Sequence, residues 1–186
     1  MPDVNHSVKQ GVTSGLLAGA AFAVAQVIAV VTAGDPALVA FRRSASVLLG
    51  PAALTTIPPA IAIGVGLIAH AYLSAMYGLS YGIYNAALAA STRRSAPAQV
   101  ALGALYGAVL WLVNLQLFGR IVFPWLLSVP QLVQLFLHAA CFGVPLGLLY
   151  AAAARDARPA PPLPVAIARR RRRELAAAAS HMPSPR

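Results

Sequence analysis

Gln131–Tyr150 reads QLVQLFLHAACFGVPLGLLY, twenty residues without a full charge. As a helix such a stretch is about 30 Å long, the thickness of a bilayer's hydrocarbon core. It therefore predicts a membrane span. It is not uniformly apolar, because Gln131, Gln134 and His138 recur at i, i+3 and i+7 along one helical face. Polar groups are costly against lipid, so that face is expected to meet protein, water or a ligand.

The rest of the chain agrees with a membrane setting. Of its 186 residues 59% are hydrophobic and 10% charged, against about 25% charged in soluble domains. The expected class is an all-α integral membrane protein, a single domain whose helices pack against one another in lipid. A net charge of +10 does not point to nucleic acid. Five of the fourteen basic residues form one run, Arg169, Arg170, Arg171, Arg172 and Arg173, with no aromatic residue interleaved to stack on bases. Anionic lipid is the expected partner of that run, at about 1 kcal/mol per residue. The lone Cys141 excludes an intrachain disulfide and leaves the redox compartment open.

Four spans are predicted, at about 11–33, 60–84, 98–118 and 131–154, after a polar lead over 1–10 and before a Pro/Arg-rich tail over 155–186. The first is too long for a signal-peptide core of about 7–15 residues, although Val31 and Ala33 fit a cleavage site; retention is expected. Between the first two spans, Ala37–Leu49 has the pattern of a short amphipathic helix with Arg42 and Arg43 snorkelling. Arg93 and Arg94 mark a short loop ending near Pro97, and Gly119–Pro130 is an aromatic, proline-broken interfacial segment. Tyr72, Tyr77, Tyr81 and Tyr84 cluster toward the end of the second span as interface anchors.

Charge asymmetry orients the hairpins. Eleven basic residues, including Lys9, Arg93, Arg94 and Arg155, fall on the side of the termini, against Arg42, Arg43 and Arg120 on the other. The positive-inside rule then puts both termini in the cytoplasm.

The spans also suggest an internal repeat of two hairpins. Gly15, Gly19 and Gln26 in the first span correspond to Gly103, Gly107 and Asn114 in the third, each 88 residues further on. The second and fourth each follow a proline, Pro59 or Pro130, and carry a histidine, His70 or His138, then glycines. Small residues permit close backbone approach, and an amide can bond across helices.

His70 and His138 fall at similar depth on spans that an up-down bundle sets diagonally across its core. Their surroundings nominate a candidate intramembrane polar site of His70, His138, Gln131, Gln134, Asn114, Gln26, Ser74 and Tyr77. It would handle or sense a small polar solute or protons. One alternative is ordinary polar packing between helices; another is a bis-histidine haem or metal centre for electron transfer. No resident cofactor or metal is expected outside that alternative, since no carboxylate lies in the spans. A third reading makes the chain a structural or lipid-organising protein through its basic tail. Arg43 and Arg120 occupy matching places in the outer loops, where they either attract an anion or snorkel to headgroups. Pro145, flanked by Gly143 and Gly147, is a candidate hinge.

No enzymatic motif is present: the four carboxylates Asp3, Asp35, Asp156 and Glu174 lie outside the spans, and no phosphate loop or nucleophile elbow occurs. A non-enzymatic protein is expected, and close Gly/Ala packing makes a homo-oligomer plausible.

Several stretches together resemble the YagU-like small bacterial inner-membrane proteins: SGLLAGAAFAVAQ, GLIAHAYLSAMYGLSYG, FPWLLSVP and QLFLHAACFG. The likeness covers the chain to about Tyr150, without the arginine-rich tail or the long first outer loop. It implies a multi-pass inner-membrane protein and no reaction. His70 and His138 are the positions it carries over.

Overall fold

The computed structural model describes residues 4–156; the Arg169–Arg173 run and the remaining tail residues lie outside them. Among the described residues four long helices are present: α1 (Val4–Thr32), α3 (Pro59–Ala86), α5 (Ala96–Ile121) and α6 (Gln131–Asp156). Each is long and apolar enough to cross a bilayer. Two shorter helices accompany them, α2 (Leu38–Leu49) and α4 (Ala90–Arg94). The four long helices pack as a bundle whose outer surface is apolar: Ile68, Ile83 and Leu132 are 68%, 71% and 80% exposed. Water would not support side chains of that kind all round a bundle, and lipid does. The chain is a multi-pass helical membrane protein.

The helix ends follow local chemistry. Pro59 and Pro97 lie in the first turns of α3 and α5, where the missing N–H would have no intrahelical partner. The Arg93–Arg94 segment, read from sequence as loop, is instead the short helix α4. Pro97 does not end a loop but sits inside α5, whose cap is Ser95, its hydroxyl accepting from the Ala98 N–H at 3.4 Å. Gly34 and Gly50, with φ of 90° and 71°, turn the chain at the ends of α1 and α2.

Glycines set how closely the hairpins close. A methyl group on Gly15 would strike the Ser74 carbonyl, and one on Gly78 would strike that of Gly11. In the second hairpin Gly103 and Gly143 lie against each other's carbonyls, and Gly107 against that of His138. Lipid supplies no hydrophobic drive between helices, so this backbone proximity is what supplies dispersion contact. Gly66 does the same for α2, lying on the Phe41 backbone.

Two stretches widen into π-helical turns, Leu112–Phe118 in α5 and Leu137–Gly143 in α6. The Gly119 and Val144 N–H groups bond the carbonyls of Asn114 and Ala139, five residues back. In α6 the wide turn immediately precedes Pro145, which cannot donate to a carbonyl one α-turn earlier. The helix passes through Pro145 without ending.

Candidate functional site

A cavity of about 500 Å³ occupies the half of the bundle nearest α2 and the 3-10 turn Pro124–Ser128. Sites for small molecules have volumes of roughly 300–1,000 Å³. Its walls are mostly apolar, with Phe22, Leu73, Leu110, Leu115 and Phe142 among them. Seven polar residues of the spans also line it: Gln26 on α1, His70, Ser74 and Tyr77 on α3, Asn114 on α5, and Gln134 and His138 on α6.

The two histidines have different bonding. The Nε2–H of His70 donates to the Gly19 carbonyl at 2.8 Å, across the α1–α3 contact. In His138 it is Nδ1–H that donates, to the Gln134 carbonyl one turn earlier at 2.7 Å. A carbonyl only accepts, so each bond puts a proton on the bonded nitrogen of its ring. Phe22 lies against both imidazoles, stacked on His70 at 5.8 Å and edge-on to His138 at 4.9 Å between centroids. A ring held by Nδ1–H leaves Nε2 free to bind a metal. His138 has that arrangement. His70 has the reverse, its Nε2 being committed to Gly19, so the pair does not fit as axial ligands of one haem. Among the described residues no three His, Cys, Asp or Glu side chains gather to hold a metal ion.

Below the histidines, Tyr77 donates to Asn114 Oδ1 at 2.8 Å, joining α3 to α5. Beneath that bond the interior is filled by Ala18, Tyr81, Leu110, Phe142, Leu146 and Tyr150. Tyr81 is 0% exposed and is therefore not an interface anchor. Its hydroxyl donates to Gln99 Oε1 at 2.7 Å, and Asn85 Nδ2 donates to the same oxygen at 2.8 Å. Tyr106 donates to the Tyr77 carbonyl at 2.9 Å, and Tyr150 to that of Gly78 at 3.0 Å. Tyr72 and Tyr84 do face outward.

Gln131 is the one sequence-nominated span residue outside the cavity lining. It heads α6, donates to the Leu127 and Val129 carbonyls, and accepts from Gln116, which in turn accepts from Arg120. These bonds tie down the Pro124–Ser128 loop. Arg120 thereby differs from Arg43, which lines the cavity and faces Asp35 at 3.7 Å. Ser74 Oγ bonds the His70 carbonyl, and Gly19 leaves just enough room for it. Gln26 Oε1 is buried without a partner among the described residues.

Sequence reasoning missed Phe22, which touches both histidines, and the Tyr81–Gln99–Asn85 group beneath the cavity. Asn85 and Gln99 were visible as amides close to span ends, but no local pattern joins them across an 18-residue and a 14-residue separation from Tyr81 and from each other. No protein family, curated protein or solved structure matches the chain.

Proposed function

We propose that the protein binds a small solute inside the membrane and either passes or senses it, without covalent chemistry. The observation that carries this reading is the convergence of seven polar side chains from all four long helices on one cavity. Such groups in lipid serve as packing or as a site. Packing alone requires no space between them. A screen of small solutes, polar and amphiphilic, for thermal stabilisation of the purified protein, with flux of the same solutes and of protons into proteoliposomes, tests it. At least one solute is expected to raise the melting temperature or to cross, and Ala69→Trp, which fills the cavity, is expected to abolish the effect. Neither stabilisation nor flux across the panel would sink the reading.

Several further features belong to the same proposal. The resemblance to the YagU-like group supports a bacterial inner membrane, and the split of basic residues supports cytoplasmic termini. A two-hairpin repeat is supported by glycines at matching places, Gly19 beside His70 through its ring and Gly107 beside His138 through its carbonyl. The Arg169–Arg173 run supports binding of anionic lipid, and replacing it with alanine should weaken attachment to phosphatidylglycerol vesicles. The apolar Gly/Ala-rich surface supports a homo-oligomer, to be read from mass in nanodiscs.

A further inference from the structure

Taking the cavity as a solute site, we infer that its ligand is an anionic amphiphile, an acidic headgroup on an apolar body, with the headgroup at Arg43. The inference deepens the proposed function and rests on it.

Three observations meet at this point. First, among the described residues Arg43 is the one Lys or Arg in the lining, and no carboxylate of theirs lines the cavity. Its side chain is 23% exposed, and its acidic partner Asp35 is 51% exposed and 3.7 Å away. An ion pair that long and that wet contributes little, so a carboxylate or phosphate oxygen entering from the cavity displaces it at small cost. The planar fork of a guanidinium presents paired donors suited to such groups. Second, the remaining walls suit an apolar body. A fully hydrated ion or a sugar would lose more water bonds against Phe22, Leu73, Leu110 and Phe142 than the polar groups can replace. Gln26 Oε1, buried and without a donor among the described residues, suits a hydroxyl carried by the ligand.

Third, the cavity has a neighbour on the lipid side. A groove of about 510 Å³ runs between α1 and α3, with Phe41 of α2 at its edge. Phe41, Leu67, His70 and Ser74 border both spaces. The groove's outer rim includes Val24 and Ile28, 61% and 56% exposed. A molecule dissolved in the bilayer thus meets the cavity wall from the side. His70 stands at that boundary, its Nε2–H on the Gly19 carbonyl.

The test uses the full chain in phosphatidylcholine nanodiscs, with palmitate bearing a diazirine on its chain and the corresponding long-chain alcohol as a neutral twin. Palmitate should label the cavity segments of α1, α2 and α3 saturably. Arg43→Gln should reduce that labelling about tenfold or more, the loss typical of a charge-assisted bond, and leave the alcohol unchanged. Asp35→Asn should increase palmitate labelling by releasing Arg43. If Arg43 merely held Asp35 in place, both variants would move in the same direction, and that result would overturn the inference. Competition by unlabelled palmitate alone assigns a single-chain acid, whereas competition by phosphatidylglycerol assigns a membrane lipid; either supports an acidic headgroup. Equal labelling by acid and alcohol, unaffected by Arg43→Gln and lost in Ala69→Trp, leaves the cavity reading standing and refutes the anionic ligand. Absence of cavity labelling by palmitate in the unmodified protein refutes it too, while the solute screen judges the cavity reading separately.

Discussion

His70 donates its Nε2–H to the carbonyl oxygen of Gly19 at 2.8 Å. The bond spans the close approach of α1 and α3 and fixes one imidazole by the nitrogen that a haem iron would otherwise take. Phe22, set against both His70 and His138, occupies space beside each ring. Titration of the purified protein with haemin is therefore expected to give no six-coordinate bis-histidine spectrum. A sharp low-spin Soret band that disappears in both His70→Ala and His138→Ala would refute this.

Glycine packing makes a second expectation quantitative. A methyl group on Gly103 would strike the Gly143 carbonyl, whereas one on Gly64 would meet nothing within 4 Å. Gly103→Ala should destabilise the bundle by about 1–3 kcal/mol, as overpacking does. Gly64→Ala is expected to be neutral or stabilising by up to about 1 kcal/mol, because alanine loses less backbone freedom in a helix. Unfolding in mild detergent followed by circular dichroism compares the two. Equal melting temperatures would remove the role given to the glycines.

What could be read in advance depended on whether a feature repeats locally. The four spans were legible because twenty or more uncharged residues in a row need no partner to be recognised. Span ends were less so, since Pro97 marks a boundary in sequence while fitting inside the first turn of α5. A regular helical wheel puts both Cys141 and Phe142 near the face of His138, whereas the wider π turn over Leu137–Gly143 leaves Phe142 at the cavity and carries Cys141 away from it. That shift depends on how α6 accommodates Pro145, which a regular α-helical wheel does not represent. The same wheel put Gln131 on the stripe, although a first-turn residue is free to bond the preceding loop, as it does with Leu127 and Val129. Tyrosines near a span end resemble a membrane belt, yet Tyr81 turns inward to Gln99, and only the fold brings α5 to it. The place of Arg43 in the cavity likewise follows from α2 folding back onto Gly66.

The Tyr81–Gln99–Asn85 group carries a third expectation. Gln99 Oε1 accepts from both neighbours, and Gln99 and Tyr81 are each 0% exposed. Gln99→Leu leaves two donors without an acceptor, at about 1–3 kcal/mol for each buried group left unpaired. Tyr84→Phe alters an exposed hydroxyl and should change stability by no more than about 0.5 kcal/mol. Chemical denaturation of the two variants in the same detergent separates these cases. A Gln99→Leu protein as stable as Tyr84→Phe would show the group to be incidental.

The roof of the cavity provides the last expectation. Trp125 Nε1–H donates to Ser46 Oγ at 3.1 Å, and Ser46 donates in turn to the Arg43 carbonyl at 2.7 Å. The first bond of this relay holds the Pro124–Ser128 turn to α2, and the second lies within α2 itself. Removing its first bond with Trp125→Phe costs about 1 kcal/mol, which raises the population of opened roof about fivefold. Access can be timed in a Cys141→Ser background with Ser44→Cys as the reporter, since Ser44 lines the cavity. A small charged thiol reagent should react several-fold faster after Trp125→Phe, while global unfolding of the bundle changes little. Trp111→Phe serves as the control, because its Nε1 has no partner among the described residues to lose. Identical labelling rates for the two tryptophan variants would mean that the Trp125–Ser46 bond does not hold the roof.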